Sequence, residues 1–182
     1  MEYSFHFYNS LAETGLMTAL TKTLGDLETP PVILCVGSDI AVGDALGPIA
    51  GTLLRRKASD CFIYGTLKNP VTAKEVKFVN NFLRRTHPNS KIIAVDAAIG
   101  EAQDVGLIKV IDSPLRPGSG TNKRLGSVGD VSILGIVAEK AGFSYSILNL
   151  TRLNLVYSMA EIVANALSAY LINKHSRKIM RA

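Results

Sequence analysis

Asp44 and Asp96 each follow an apolar run, and carboxylates placed that way can carry acid–base chemistry. Asp44 lies in CVGSDIAVGDALGP, directly after PVIL, and Asp96 stands inside IIAVDAAIG. The runs Val32–Val36 and Lys91–Val95 read as buried strands. In an open parallel sheet, ligands bind beyond the carboxyl ends of the strands. Both aspartates would therefore face one crevice, far apart in the chain but close in space. Two carboxylates in a partly dehydrated cleft cannot both ionise easily, so one keeps a proton. The ionised one can activate water, while the protonated one polarises a carbonyl or protonates a leaving amine. The same pair could ligate a metal through oxygen. Taken singly, Asp44 could equally cap the next helix and Asp96 a turn.

Other chemistries find less support. A phosphate-binding loop needs G-x-x-x-x-G-K-[ST], whereas five residues separate Gly37 from Gly43 and Asp-Ala follows. No G-x-G-x-x-G follows the first strand. Nucleophilic hydrolysis needs Ser or Cys beside a base; His6, His87 and His175 all read as surface histidines remote from the crevice. Cys35 and Cys61 sit in apolar runs and read as small buried hydrophobes, without zinc-ligand spacing.

The elements that must hold the aspartates follow from periodicity. A helix is expected up to about Asp26, ended by Thr-Pro-Pro. Leu46, Ile49, Ala50, Leu53 and Leu54 repeat at helical spacing. A second strand is expected at Cys61–Thr66, and Thr72 with Glu75 forms a capping box before a helix that ends near His87. Further strands are expected at Val105–Ile111 and Val131–Val137, and a last helix at about Arg152–Lys174. The alternation predicts an α/β fold over residues 1–182 as one domain, with a mostly parallel central sheet and helices on both faces, a three-layer sandwich. Ser113–Asp130, with four glycines and two prolines, is the one long loop, and such loops tend to be functional.

The 182 residues carry a net charge of +5. The basic residues gather at Lys74/Lys77, Arg84/Arg85 and the tail, where charges commonly solvate a helix face. No nucleic-acid module or interleaved aromatics stand out. No apolar stretch approaches a bilayer span and the N-terminus is not a signal peptide, so no membrane partner and a cytoplasmic location are expected. Tyr157 and Tyr170 would serve a core or a subunit interface, which leaves a homo-oligomer open.

GSDIAVGDALGP, IIAVDAAIG and PGSGTNKR, in this order, resemble three motifs of the germination protease of spore-forming bacteria. The short chain is most similar to the smaller YyaC-type sporulation family, and the hydrogenase-maturation endopeptidases share the wider, phosphorylase/hydrolase-like fold. The resemblance implies that Asp44 and Asp96 are the catalytic pair. It places Gly37, Ser38, Asp39 and Gly43 in a first substrate loop, and Gly118, Ser119, Gly120, Asn122, Lys123 and Arg124 in a second. Lys123 or Arg124 would hold an acidic substrate; Asp39 could be a turn residue, a supporting partner or a ligand. The implied reaction is peptide hydrolysis, with small acid-soluble spore proteins as substrates, in the forespore or spore. The hydrogenase-maturation relatives bind nickel through two carboxylates and a histidine. No histidine stands in the third position here, so no cofactor is expected, and Asp44 and Asp96 would be the ligands if a metal bound. A catalytically silent binding or assembly protein and a metal-dependent hydrolase are the alternative expectations.

Overall fold

The computed structural model describes residues 1–57, 61–117, 126–140 and 146–179, with side chains 146–147 and 175–179 excepted. In chain order the elements are β1 (Glu2–His6), α1 (Ala12–Leu24), β2 (Val32–Cys35), α2 (Leu46–Arg55), β3 (Phe62–Tyr64), α3 (Val76–Thr86), β4 (Ile92–Gly100), β5 (Leu107–Ile111), β6 (Val131–Glu139), α4 (Ser146–Asn149) and α5 (Leu153–Ile179). Short 3₁₀ turns occupy Val42–Ala45 and Ala102–Asp104.

The α/β class holds, and the sheet is mixed. Its six strands run in the order β1-β5-β6-β4-β2-β3. β3, β2, β4 and β6 pair in parallel, whereas β5 is antiparallel to both β6 and β1. The reason lies in the connections. A parallel neighbour needs a crossover of roughly a dozen residues or more, which the segments carrying α2 and α3 supply. Only residues 101–106 join β4 to β5, enough for a 3₁₀ turn but not for a crossover helix, so the chain returns in the opposite direction.

The N-terminus also departs from expectation. Residues 2–6 form a strand rather than the start of the first helix, because Tyr3, Phe5 and Phe7 alternate with polar residues and pack against the core. Glu2 to His6 pair antiparallel with Ile111 to Leu107.

Strand alternation divides the core. Ile33, Cys35, Ile93, Val95 and Ile133 point to one face, where Leu16 and Leu20 of α1, Leu46 and Leu54 of α2, and Val156, Met159 and Val163 of α5 cover them. Val32, Leu34, Ile92 and Ala94 point to the other, against Val76 and Leu83 of α3 and against Leu115 and Val128. Each large aliphatic side chain so buried contributes about 1.5–3 kcal/mol. The expected capping box is met only in part: the Thr72 N–H and hydroxyl donate to the Glu75 carboxylate at 2.8 and 3.0 Å, but α3 starts at Val76 with Glu75 at its N-cap and no side-chain capping bond, so the pair closes the turn before the helix.

Two further expectations are corrected. Leu153–Lys174 is long and apolar enough to cross a membrane by length and composition, and half of its most apolar window is buried within the fold. His87 is buried rather than at the surface: its Nε2 lies 2.9 Å from the Tyr64 hydroxyl, and its ring centroid 4.2 Å from that of Phe62. The aromatic side chains of β3 reach across the end of α3 and cover it. Tyr170 belongs to the core, whereas Tyr157 is largely exposed.

Candidate active site

The site forms where β2 stops and β4 runs on. The Val36 N–H still donates to Val95 at 2.7 Å, but beyond that point the chain leaves the sheet. It turns at Gly37, whose φ is +137° and whose N–H donates to the Val71 carbonyl at 2.9 Å. A Cβ at Gly37 would collide with the Asp44 carbonyl oxygen and meet Pro48 Cδ at 3.0 Å, so the turn and the aspartate share one space. The Ser38 N–H donates to that same carbonyl at 3.1 Å and closes the loop. Asp44 then sits in the 3₁₀ turn that feeds α2. Gly43 beside it admits α4: a Cβ there would lie 2.7 Å from Leu148 Cδ2 and 3.0 Å from its backbone.

Asp96 has a different setting. It was expected at a strand end, yet β4 continues to Gly100, because β6 pairs with it along Ile93–Gly100 with a bulge after Ala98. The residue is 6% exposed, and the Ala97 N–H donates to its Oδ1 at 2.8 Å. The sheet thus has a step, with β2 ended and β4 extended, and Asp96 stands one residue past it.

Asp44 and Asp96 both line one cleft of about 410 Å³, with Ala97, Ala98 and Ile99 of β4 also on its wall. Burial pushes the Asp44 carboxyl up to about 6, against a backbone hydrogen bond from Ser38 that lowers it. Asp96 is held well above the ordinary carboxylate range by burial first and by the Asp44 charge second, opposed by the Ala97 N–H. The order of ionisation follows: Asp44 gives up its proton first, and its charge then helps Asp96 keep its own. Over the interval between these two ionisations the pair holds one carboxylate and one carboxylic acid, which is the division of labour that water activation beside a polarised carbonyl requires.

The other expected site residues fall into three groups. Gly37, Ser38 and Gly43 stand behind Asp44 and shape or hold its loop. Asp39 is exposed and is not among the cleft-lining residues. Gly118, Ser119, Gly120, Asn122, Lys123 and Arg124 lie outside the described residues. Among the described residues no group of three or more His, Cys, Asp or Glu is arranged to hold a metal ion. Asp44 and Asp96 therefore bring carboxylate oxygens to the cleft, without a third ligand of these types among the described residues.

Sequence reasoning missed Arg116, Ser113, Ser127 and Ser132, all on the cleft wall. Arg116 brings a cation to a cleft that holds two acids. The buried Ser132 hydroxyl donates to the Ser113 carbonyl at 2.6 Å and ties that wall to β6. The usable signal was position: Arg116 stands one residue before PGSG, in the loop already singled out by its glycines.

With this geometry in view, comparison places the chain in a family. It belongs to the family described as protein of unknown function (DUF1256), whose profile matches residues 4–166. Among curated proteins it is similar to the uncharacterized protein YyaC of Bacillus subtilis (strain 168). The two are 41% identical over 157 residues, which covers 86% of this chain and 75% of that protein. The YyaC-type resemblance expected from the motifs thus holds.

Proposed function

We propose that this chain is an endopeptidase of germination-protease type, in which Asp44 and Asp96 act on one water molecule. The observation that carries the proposal is the shared cleft in which one carboxyl is held near 6 and the other well above the ordinary range. In the first step the ionised Asp44 takes a proton from water as the water oxygen bonds to the scissile carbonyl carbon. The Asp96 O–H donates a hydrogen bond to the carbonyl oxygen, which gains the electron pair of the C=O π bond. Collapse of this adduct re-forms C=O, breaks the C–N bond, and sends the proton held on Asp44 to the leaving amine. Water is consumed, one acid and one amine are produced, and both aspartates return to their starting states.

Small acid-soluble spore proteins are the substrates we propose, with the forespore or spore interior as the place of action. The packing of the sheet on both faces supports kinship with the three-layer fold of the hydrogenase-maturation endopeptidases. The test is incubation of the purified chain with a small acid-soluble spore protein across pH, reading new amino termini by mass spectrometry. Cleavage by the wild type, lost in both Asp44→Asn and Asp96→Asn, is the expected result. Equal cleavage by both variants would overturn the dyad. Stable binding without cleavage at any pH would favour an assembly protein on the same scaffold.

A further inference from the structure

α3 begins at the lip of the cleft. Ala73 lines the cleft, and Lys74, Lys77 and Phe78 follow it, all exposed. Phe82 and Arg85 carry the same face onward, since residues three and four apart on a helix are neighbours. Beyond them Phe62, 55% exposed, sits on β3 at the open edge of the sheet. The ridge is anchored at this end: Phe82 packs edge-to-face on Tyr64 with centroids 6.0 Å apart, and Phe62 rests on His87. At the other end Phe78 is 77% exposed. Read as sequence, these cations only solvate a helix; the fold interleaves them with aromatic rings on one side of it.

Along α3 the exposed charge on this face has one sign. Glu75 is the only acidic residue between Lys74 and Arg85, and its carboxylate is turned onto Thr72. Arg84 is committed elsewhere, to Asp130 at 3.0 Å. Cations that flank exposed aromatic rings, continuous with a cleft, mark an interaction surface rather than a solvated one.

We infer that this face of α3 is an exosite for an acidic polypeptide segment, which it holds where the substrate chain leaves the cleft. The inference rests on the reading of the cleft as a peptide site. The cleft itself selects polypeptide over nucleic acid. A phosphodiester strand carries a charge at every residue and would bring phosphates against the Asp44 carboxylate. A polypeptide can set its acidic side chains over α3 and lay neutral peptide bonds across the aspartates.

The spacing defines the class of segment. Lys77 and Arg85 are two turns apart, about 12 Å along the axis. An extended chain covers that in about four residues. The matching segment carries acidic residues about four apart, with an apolar residue between them to cover Phe78 and Phe82.

The experiment uses the whole chain and a fluorescein-labelled peptide with Glu at every fourth position and Leu between, read by fluorescence anisotropy. The expected result is saturable binding that weakens about tenfold in Lys77→Glu/Arg85→Glu and, separately, in Phe78→Ala. It should also weaken when Gln replaces Glu in the peptide, and as salt rises. Lys22→Glu, an exposed charge reversal on α1, should leave binding unchanged. Matching thermal melts show that the variants are folded. Undetectable binding by the wild type, unchanged binding in the α3 variants, or an equal loss in Lys22→Glu overturns the exosite. Tighter binding of an oligo-dT strand to the same face overturns its polypeptide occupant. Cleavage of the peptide, followed in parallel, separates the two readings. α3-dependent binding of the peptide, with no cleavage of it or of a small acid-soluble spore protein, upholds the exosite and sinks the hydrolase. Cleavage with unaltered kcat/KM in the α3 variants does the reverse.

Discussion

Asp44 and Asp96 reach one cleft from two kinds of backbone: a 3₁₀ turn held by Ser38 and Gly37, and the interior of a nine-residue strand. The loop aspartate is the more accessible and ionises first. The strand aspartate is buried and holds its proton beyond the ordinary carboxylate range. Difference in backbone becomes difference in protonation, and the proposed chemistry depends on that difference.

Peptide hydrolysis by this pair should follow a bell-shaped pH dependence. The acid limb rises through about 6 as Asp44 ionises. The alkaline limb lies well above the ordinary carboxylate range, where Asp96 loses its proton. Initial rates of peptide cleavage across pH check both limbs; a rate already at its plateau near pH 4 would contradict the role given to Asp44.

Asp44→Asn should lower the Asp96 titration without normalising it. The Asp44 charge is the second cause of the Asp96 shift and burial the first, so removing the charge leaves the larger cause in place. Carboxyl ¹³C shifts followed against pH report this directly. An Asp96 titration identical in wild type and variant would show that the two groups do not sense each other.

Asp96→Asn should stabilise the fold while it abolishes activity. A carboxyl raised in the folded state binds its proton more tightly there than in the unfolded chain. Stability is therefore full below the ordinary aspartate value of 3.8 and falls as pH rises towards the folded pKa. Asn is neutral at every pH and still accepts the Ala97 N–H. Thermal melts should coincide in acid and separate at neutral pH, the variant melting higher by about 2–4 °C for each kcal/mol relieved.

Gly37→Ala should cost about 1–3 kcal/mol, the usual range for a side chain forced into a conformation that only glycine adopts freely. The φ of +137° is one cause, and the collision of the new Cβ with the Asp44 carbonyl is the other. Because the collision falls on the aspartate's own backbone, kcat should fall even where the variant is fully folded. Denaturant unfolding and cleavage rates measured on the same preparation separate the two effects.

Much of the scaffold is legible in the sequence because its signals are local. Val32–Cys35 is apolar throughout, Leu46, Ile49, Ala50 and Leu54 share one helix face, and Thr72–Glu75 marks the turn that precedes α3. Asp44 and Asp96 can be found for the same reason, as acids that interrupt apolar runs. The direction of β5 cannot be read this way, since a strand's own residues do not say whether its neighbour runs with it or against it. Residues 2–6 hide because an alternating Tyr3-Phe5-Phe7 pattern is short and lies next to a stronger helical one. The cleft wall escapes for a third reason: Ser113, Arg116 and Ser132 are brought together by long-range links, the β5–β6 pairing, the Leu115–Val128 bridge and the Ser132 hydrogen bond.

The step in the sheet has a thermodynamic consequence. Asp96 is fixed in a strand that cannot withdraw it, so the folded chain keeps a proton that the unfolded chain would surrender. Folding at a pH just above the ordinary carboxylate range is therefore coupled to proton uptake from the solvent. The calorimetric enthalpy of unfolding should then vary with the ionisation enthalpy of the buffer, and Asp96→Asn should reduce that dependence. A heat measurement on the bare protein would thus register the buried acid without any substrate.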